Sequence, residues 1–199
     1  STFFLADLAD QIATGTADET GPARYRFLVN LNKYWTSTVS TSMVRDAIEI
    51  LGGNGAIEEF TVLPRLLRDA IVCEAWEGGH NVLCAQLLRD AQRINLHQST
   101  FDWFNELDPG SPQLAHAIAL WHQVLEMPPQ RASLHVRDAA DALRHGVQLA
   151  LLRREANHPH ADPSLPAVVD YLSATTAPGW SPADDVNFGA RIERLVDTP

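Results

Sequence analysis

The 199-residue sequence has little of several features that mark particular classes of protein. Lys33 is the only lysine, and 15 basic residues face 25 acidic ones, so the formal net charge is −10. Both halves are acidic: residues 1–97 carry 8 basic and 12 acidic side chains, and residues 98–199 carry 7 and 13. Because both halves would repel a phosphate backbone, the composition argues against nucleic-acid binding.

Cysteine and long apolar runs are also scarce. Cys73 and Cys84 have neither the spacing of metal ligands nor that of a disulfide framework, and they fit a reducing compartment such as the cytoplasm. No apolar run approaches the length of a membrane span, and we expect no signal peptide. His158 and His160 flank a proline without a cysteine or carboxylate set beside them, so we expect no metal site there.

Apolar content of 45% with 20% charged residues is typical of a folded globular protein, and the apolar positions recur at helical spacing. No stretch alternates as a strand does. We therefore predict an all-α protein: an up-down helical bundle in residues 1–97 and a helical C-terminal extension, residues 98–199, packing on it. Helices are predicted over residues 3–14, 24–51, 65–75, 78–95, 112–127, 132–157, 167–174 and 182–196.

One window combines two glycine-rich turns with a carboxylate. Residues 51–55 read Leu-Gly-Gly-Asn-Gly, and residues 75–81 read Ala-Trp-Glu-Gly-Gly-His-Asn. In a functional interpretation, the glycines let backbone approach a ligand, and Glu77 beside the indole of Trp76 is a general base, since an apolar wall raises the pKa of a carboxyl group. In a structural interpretation, the first glycines end a helix and Glu77 is an ordinary charge near a helix start.

Residues 47–93 resemble the C-terminal domain of flavin-dependent acyl-CoA dehydrogenases. The resemblance is carried in order by Ala-Ile-Glu-Ile-Leu-Gly-Gly-Asn-Gly, Leu-Pro-Arg-Leu-Leu-Arg-Asp-Ala and Trp-Glu-Gly-Gly-His-Asn-Val-Leu-Cys-Ala-Gln-Leu-Leu-Arg-Asp. The Trp-Glu-Gly spelling and the Asn-Val after it look similar to the branch that contains the adaptive-response, alkylation-damage proteins. Beyond about residue 95 the resemblance fades.

The resemblance implies a chemistry for the second turn. In the family, a glutamate removes a proton α to an acyl-CoA thioester while FAD accepts a hydride from the β-carbon, and Glu77 matches that glutamate. The backbone N–H of the same residue helps to polarise the thioester carbonyl, as in an oxyanion hole. By the same resemblance, Trp76 and Gly78 would contact the substrate, the indole excluding water and the glycine leaving the backbone accessible.

The resemblance also implies a cofactor set for FAD. Gly52 and Gly53 match positions that approach the adenine-diphosphate end of the flavin, and Asn81 falls where a polar flavin contact is common. Glu49 replaces a usual glutamine, and its charge would sit poorly beside a pyrophosphate. Gly79 replaces a usual threonine, which removes a hydroxyl contact.

Two hypotheses follow. In the first, the chain is a piece of a longer cytoplasmic flavoenzyme, inactive without the N-terminal helical and central β-domains that the family uses, with acyl-CoA, a flavin electron acceptor and other copies of itself as partners. In the second, it is a non-catalytic helical assembly module or an alkylation-response-type paralogue. The charge of −6 over residues 98–199, from the counts above, argues against contact with DNA in the second case.

Overall fold

The computed structural model describes residues 2–76, 78–177 and 179–197, and within these ranges it is all-α, as predicted, with no strand. The chain divides into two compact units. The first unit is Thr2–His97, and the second contains the residues from Gln98 onward. The assignment of residues 1–97 and 98–199 to domains with different roles stays a prediction.

The first unit is built around one long helix. Its helices are α1 (Thr2–Thr14), α2 (Gly21–Leu51), a 3₁₀ helix (Gly52–Ala56), α3 (Leu63–Ala75) and α4 (His80–Ile94). Helix α2 packs against each of the others. Pro22 and Pro64 stand in the first turns of α2 and α3, where the missing N–H costs no intrahelical bond. These prolines explain why both helices begin two or three residues before the predicted positions.

The core of this unit lies along the first half of α2. Phe27, Leu31 and Tyr34, three of the predicted apolar positions, are buried. Apolar side chains of the other helices complete the core: Leu5, Leu8, Leu28, Ala70, Leu83, Cys84, Leu87, Leu88 and Ala91. The predicted stripe continues through Met43 and Ile50, but both are exposed. The second half of α2 therefore presents apolar side chains to its surroundings.

An ion pair with two hydrogen bonds joins α2 to α4. Arg26 Nε donates to Asp90 Oδ2 at 2.9 Å, and Arg26 Nη2 donates to Asp90 Oδ1 at 3.0 Å. Such a planar, two-point contact fixes the relative rotation of two helices as well as their distance. It therefore fixes α4, which follows the second glycine turn, against α2.

The second unit contains α5 from Gln98 on, together with α6, α7, α8 and α9. The bounds of these helices are α5 (Leu96–Leu107), α6 (Pro112–Glu126), α7 (Pro129–Ala156), α8 (Leu165–Thr175) and α9 (Phe188–Val196). Helices α6 and α7 pack closely, and Trp121 and Leu143 are fully buried between apolar neighbours. Pro112 marks the start of α6, as predicted, whereas α7 begins at Pro129, three residues before the predicted position.

Helix α5 was not predicted. Its buried residues, Leu96, Thr100, Phe101 and Phe104, follow the spacing of one helix face. Phe101 makes edge-to-face contact with Trp121, with ring centroids 6.3 Å apart. Phe101 and Phe104 could have indicated this helix from the sequence, but the polar residues on its other face obscured the apolar pattern.

One arginine joins several segments of the second unit. Arg153 of α7 forms an ion pair with Asp108, Nη1 to Oδ2 at 2.6 Å. The same guanidinium donates to the hydroxyl oxygens of Ser111 at 3.4 Å and Ser173 at 3.1 Å. Ser111 is the N-cap of α6, and its Oγ accepts from the N–H of Leu114.

In the part of the chain that the structure describes, no helix is both long and apolar enough to span a bilayer.

Candidate active site

The second glycine turn connects α3 to α4. Helix α3 ends at Ala75, and the N–H of Trp76 still donates to Val72 O at 3.0 Å. Gly78 has φ of +112°, a conformation that favours glycine, and Gly79 is extended and forms the N-cap of α4. Glu77, the predicted base, lies outside the residues that the structure describes.

The predicted substrate-contacting residues differ in exposure. The side chain of Trp76 is 69% exposed. A water-excluding role for this indole therefore requires a covering group beyond its present neighbours. Gly78 is half-buried, and a Cβ built there would lie 3.2 Å from Val82 Cγ1. Both the backbone conformation and this close approach explain the glycine, and substrate contact stays a prediction for both residues.

The first glycine turn has an open part and a packed part. Gly52 ends α2, and its N–H donates to Glu49 O, as the structural interpretation expects of a helix end. A Cβ on Gly52 or Gly53 would meet nothing within 4 Å, whereas one on Gly55 would lie 2.5 Å from the carbonyl oxygen of Ile48. Gly55 therefore serves packing, and the backbone at Gly52 and Gly53 is open to a ligand.

A polar cleft of about 570 Å³ runs along the second half of α2 beside α3. It is lined by Thr38, Thr41, Ser42, Arg45, Asp46, Ile48, Glu49, Leu67 and Glu74. Three carboxylates and one guanidinium give the lining an excess of negative charge. Glu49 belongs to this lining, whereas Gly52, Gly53, Gly79 and Asn81 do not.

The predicted cofactor residues are accessible, but their charge does not fully suit a diphosphate. A Cβ on Gly52 or Gly53 would be unobstructed, and Asn81 is exposed in the first turn of α4. Glu49 is also exposed, one turn before these glycines. Its carboxylate weakens the attraction that the site has for a diphosphate.

Sequence reasoning did not identify the contacts that hold the second turn on α2. Lys33 Nζ donates to the carbonyl oxygen of Cys73 in the last turn of α3 at 2.5 Å. His80, the first residue of α4, places Nε2 3.3 Å from Ser37 Oγ and 3.3 Å from Thr38 Oγ1. Thr38 also lines the polar cleft, so it connects the start of α4 with the surface that carries Glu49.

The histidine pair of the second unit is an exposed local contact. The N–H of His160 donates to His158 Nδ1 at 3.2 Å, and the two rings lie 5.8 Å apart. The described ranges contain no group of three or more His, Cys, Asp or Glu side chains that could hold a metal ion. Neither Cys73 nor Cys84 is in a disulfide, and the first is exposed whereas the second is buried.

Comparison with known proteins shows what the first unit is similar to. Residues 5–92 match the family model described as "Acyl-CoA dehydrogenase, C-terminal domain". These residues, somewhat less than half of the chain, are therefore similar to the C-terminal domain of the acyl-CoA dehydrogenase family, as the sequence resemblance predicted. The match ends just before α5.

Two curated relatives carry the family name. The chain is 36% identical over 87 residues to "Acyl-CoA dehydrogenase family member 11" of Caenorhabditis elegans, covering 44% of this chain and 14% of the relative. It is 40% identical over 107 residues to "Putative acyl-CoA dehydrogenase AidB" of Escherichia coli strain K12, covering 53% and 20%. The chain thus spans a fifth or less of the length of these relatives.

A solved structure titled "Bd2924 apo-form" is similar in fold, with a TM-score of 0.69 and 28% sequence identity. The superposition covers 76% of this chain and 29% of the other. The similarity therefore extends past the segment that the family model matches.

Proposed function

We propose that the chain supplies the catalytic base of a flavin-dependent acyl-CoA dehydrogenase, with Glu77 removing the proton α to the thioester. The observation that carries the proposal is the position of the Trp-Glu-Gly-Gly segment: it connects α3 to α4 inside the segment that matches the family's C-terminal domain. By the sequence resemblance, Glu77 and Gly78 occupy the positions of the family's base and of the backbone beside it, whereas Gly79 replaces a usual threonine.

The residues of this chain would act on the substrate as follows. The carboxylate of Glu77 accepts the α-proton, and the N–H of the same residue donates to the thioester carbonyl, which stabilises the charge that develops on its oxygen. Gly78 leaves the backbone at this point without a side chain. Trp76, once covered by substrate or by another part of the protein, excludes water and raises the pKa of the base.

FAD would be held by the backbone at Gly52 and Gly53, and by polar contacts near Gly79 and Asn81. When bound, FAD accepts the hydride from the β-carbon of the acyl chain. The open surface at the two glycines supports this assignment, since a Cβ built on either one would meet no atom outside the neighbouring residues within 4 Å. Glu49 would lower the affinity, because its carboxylate lies one turn before the diphosphate contact.

We further propose that the protein is cytoplasmic, acts on soluble acyl-CoA, passes electrons to a flavin electron acceptor and forms homo-oligomers. Support for self-association comes from the exposed apolar side chains of the first unit. They include Met43, Ile50, Phe60, Ile71, Val72 and Trp76. Self-association would cover apolar side chains of this kind.

The test is anaerobic titration of the FAD-loaded natural protein, including any sequence its gene encodes outside these residues, with a series of acyl-CoA thioesters. Loss of the absorbance of oxidised flavin is expected with the natural sequence, and Glu77→Gln should slow it by about 10³-fold or more, since the positioned base is removed. Glu59→Gln, a matched change at an exposed residue that does not line the polar cleft, should retain flavin reduction. Undiminished reduction in Glu77→Gln would remove Glu77 as the base.

A second candidate is a non-catalytic helical assembly module, or an alkylation-response-type paralogue, of the same family. The acidic lining of the polar cleft favours it, because Asp46, Glu49 and Glu74 oppose a diphosphate. In that case the natural protein would assemble into oligomers but would not retain FAD through gel filtration. Retained FAD together with reduction by acyl-CoA would exclude this candidate.

A further inference from the structure

We propose that Lys33 and His80 are positioning residues for the proposed base: from one face of α2 they fix the end of α3 and the start of α4, the two helix ends that border Trp76–Gly79. The assignment of a catalytic role to this segment rests on the proposed function. The anchoring itself rests only on contacts among described residues.

The contact at the end of α3 joins a charge to a helix terminus. The carbonyl of Cys73 belongs to the last turn of α3, where carbonyl groups lack intrahelical partners. Lys33 Nζ donates to it at 2.5 Å. A cation at this end of a helix also meets the negative end of the helix dipole. The only lysine of the chain thus fixes the point from which the backbone leaves α3 toward residue 77.

The contact at the start of α4 favours one tautomer of the His80 imidazole ring. Ser37 Oγ donates its hydrogen to Lys33 O at 2.8 Å, and Thr38 Oγ1 donates to Tyr34 O at 2.8 Å. Because both hydroxyl hydrogens are used in this way, both oxygens face His80 Nε2 as acceptors. The neutral tautomer that fits this arrangement carries its proton on Nε2, which then donates to the pair.

Packing holds the same ring in place. The imidazole of His80 meets the buried ring of Tyr34 edge-on, with centroids 5.4 Å apart and an interplanar angle of 79°. Ser37 is buried as well. A half-buried ring with two hydroxyl acceptors and an aromatic neighbour has little rotational freedom, so the first turn of α4 follows any movement of α2.

Both anchors belong to the same face of α2. Lys33 and Ser37 are four residues apart, the spacing that places side chains one above the other on a helix. The two anchors are coupled, since the hydroxyl that accepts from His80 donates to the carbonyl of Lys33. One turn of α2 thus sets the distance and orientation between the two helix ends.

This arrangement matters for catalysis because a base must be held within about 0.5 Å of its productive position. A four-residue connection with two glycines cannot supply that precision by itself, since glycine permits many backbone conformations. Fixed helix ends on both sides restrict the connection without adding side chains next to the substrate. The glycines then serve backbone access, and α2 supplies the rigidity.

The first test is independent of enzyme activity. Histidine side-chain nitrogen shifts in the ¹⁵N-labelled protein report which ring nitrogen carries the proton. At a pH where the ring of His80 is neutral, we expect the Nε2–H form to dominate, with a slowly exchanging Nε2 proton. A dominant Nδ1–H form would overturn the anchoring, because Nε2 would then have no hydrogen to donate to the two hydroxyls.

The second test compares two substitutions of His80 by residues whose side chains end in an amide group. Glutamine places its NH₂ group near the position of Nε2, whereas asparagine is too short to reach Ser37 and Thr38. Exchange of the Val82 and Leu83 amides, which both donate to Gly79 O, should rise about tenfold in His80→Asn and stay within about threefold in His80→Gln. Equal exchange in the two variants would overturn the anchoring role of the ring.

The same two variants, in the FAD-loaded natural protein, distinguish a positioning role of His80 from a role in stability alone. His80→Asn should lower kcat for flavin reduction by about tenfold with KM for acyl-CoA within about twofold of the natural value, and His80→Gln should restore kcat. If the tautomer and exchange results hold but kcat is unaffected in His80→Asn, the positioning role is wrong. If the natural protein does not reduce flavin, the proposed function fails while the exchange results still decide the anchoring.

Lys33 provides the matching test at the other end. Lys33→Met keeps the length of the side chain and removes the charge, and Lys33→Arg keeps the charge. The amide of Trp76, which donates to Val72 O, should exchange several-fold faster in Lys33→Met and near the natural rate in Lys33→Arg. Unchanged exchange in Lys33→Met would show that the lysine does not hold this helix end.

Discussion

Arg26 and Asp90 face each other with two parallel hydrogen bonds across α2 and α4, although 64 residues separate them in the sequence. The Asp90 side chain is 11% exposed and that of Arg26 is 54% exposed. The two partners therefore differ. If the ion pair is broken, the guanidinium of Arg26 can be hydrated, whereas the carboxylate of Asp90 would remain largely buried from water. Removing Arg26 should therefore lower the free energy of unfolding by more than the ion pair itself contributes to it.

We expect Arg26→Met to lower the free energy of unfolding of the first unit by about 2 kcal/mol, because it leaves the Asp90 carboxylate buried without its partner. Denaturant unfolding followed by circular dichroism measures the change. Arg89→Met, at an exposed position in α4, should stay within about 0.5 kcal/mol of the natural chain. Adding Asp90→Leu to Arg26→Met should recover part of the loss, and a further large loss would contradict this explanation.

The two kinds of glycine in the first turn should respond differently to alanine. Gly55→Ala should cost about 2 kcal/mol, because the new Cβ would lie 2.5 Å from the Ile48 carbonyl oxygen. Gly53→Ala has open space around its Cβ and should leave stability within about 0.5 kcal/mol of the natural value. In the natural protein, Gly53→Ala should nevertheless weaken FAD binding several-fold, which a flavin fluorescence titration detects. Unchanged affinity would place the cofactor elsewhere.

Glu49→Gln should strengthen FAD binding in the natural protein by about three- to tenfold. Two unit charges about 4 Å apart interact by about 1 kcal/mol in water, and this repulsion would be removed. The gain should shrink in high salt, because exposed charges are screened. Glu19→Gln, just before the opposite end of the long helix α2, should leave the affinity unchanged. A gain in both variants would indicate a general effect of net charge.

Stability of the second unit should fall as the solution is acidified through the range of His145. Burial lowers the pKa of this histidine in α7, the charge of Arg144 lowers it further, and Asp141 opposes the shift. The unfolded chain, with a histidine pKa of about 6.5, therefore binds the proton more readily than the folded one. This contribution is complete above the unfolded pKa and is lost as the pH falls from about 6.5 toward the folded pKa.

Thermal unfolding between pH 7 and pH 5 tests this dependence. His145→Gln should show a smaller decrease in Tm over that range than the natural chain, because the proton-binding group is gone. His116→Gln, at an exposed position in α6, should keep the natural decrease. Parallel curves for the natural chain and His145→Gln would show that burial of this ring does not control the effect.

The helices could be predicted because local rules govern them. Prolines 22, 64, 112 and 129 mark four helix starts, and apolar residues at steps of three and four mark the faces. Helix α5 escaped prediction although the helix predicted before it ended at Asn95, whose left-handed conformation does end α4. No proline or glycine marks the start of α5, and polar residues on its other face obscure the apolar spacing.

The candidate site was predictable only in part. The two glycine turns were located from sequence, and Gly52 does end a helix. The anchors on α2 were not, because Lys33 and Ser37 meet partners about 40 residues away. Lysine, serine and histidine at ordinary helix positions carry no local signal for such contacts. The assignment of Glu77 to catalysis stays a prediction, based on the family resemblance.

The guanidinium of Arg153 binds Asp108, Ser111 and Ser173. These partners lie after α5, at the start of α6 and within α8, so helices separated by long stretches of chain share one donor group. If α8 detaches, the arginine loses a partner that also orients it toward the other two. Unfolding of one helix therefore destabilises helices that are distant in the sequence. We expect the second unit to unfold in one cooperative transition, in which the backbone amides of its helices lose their protection from hydrogen exchange together.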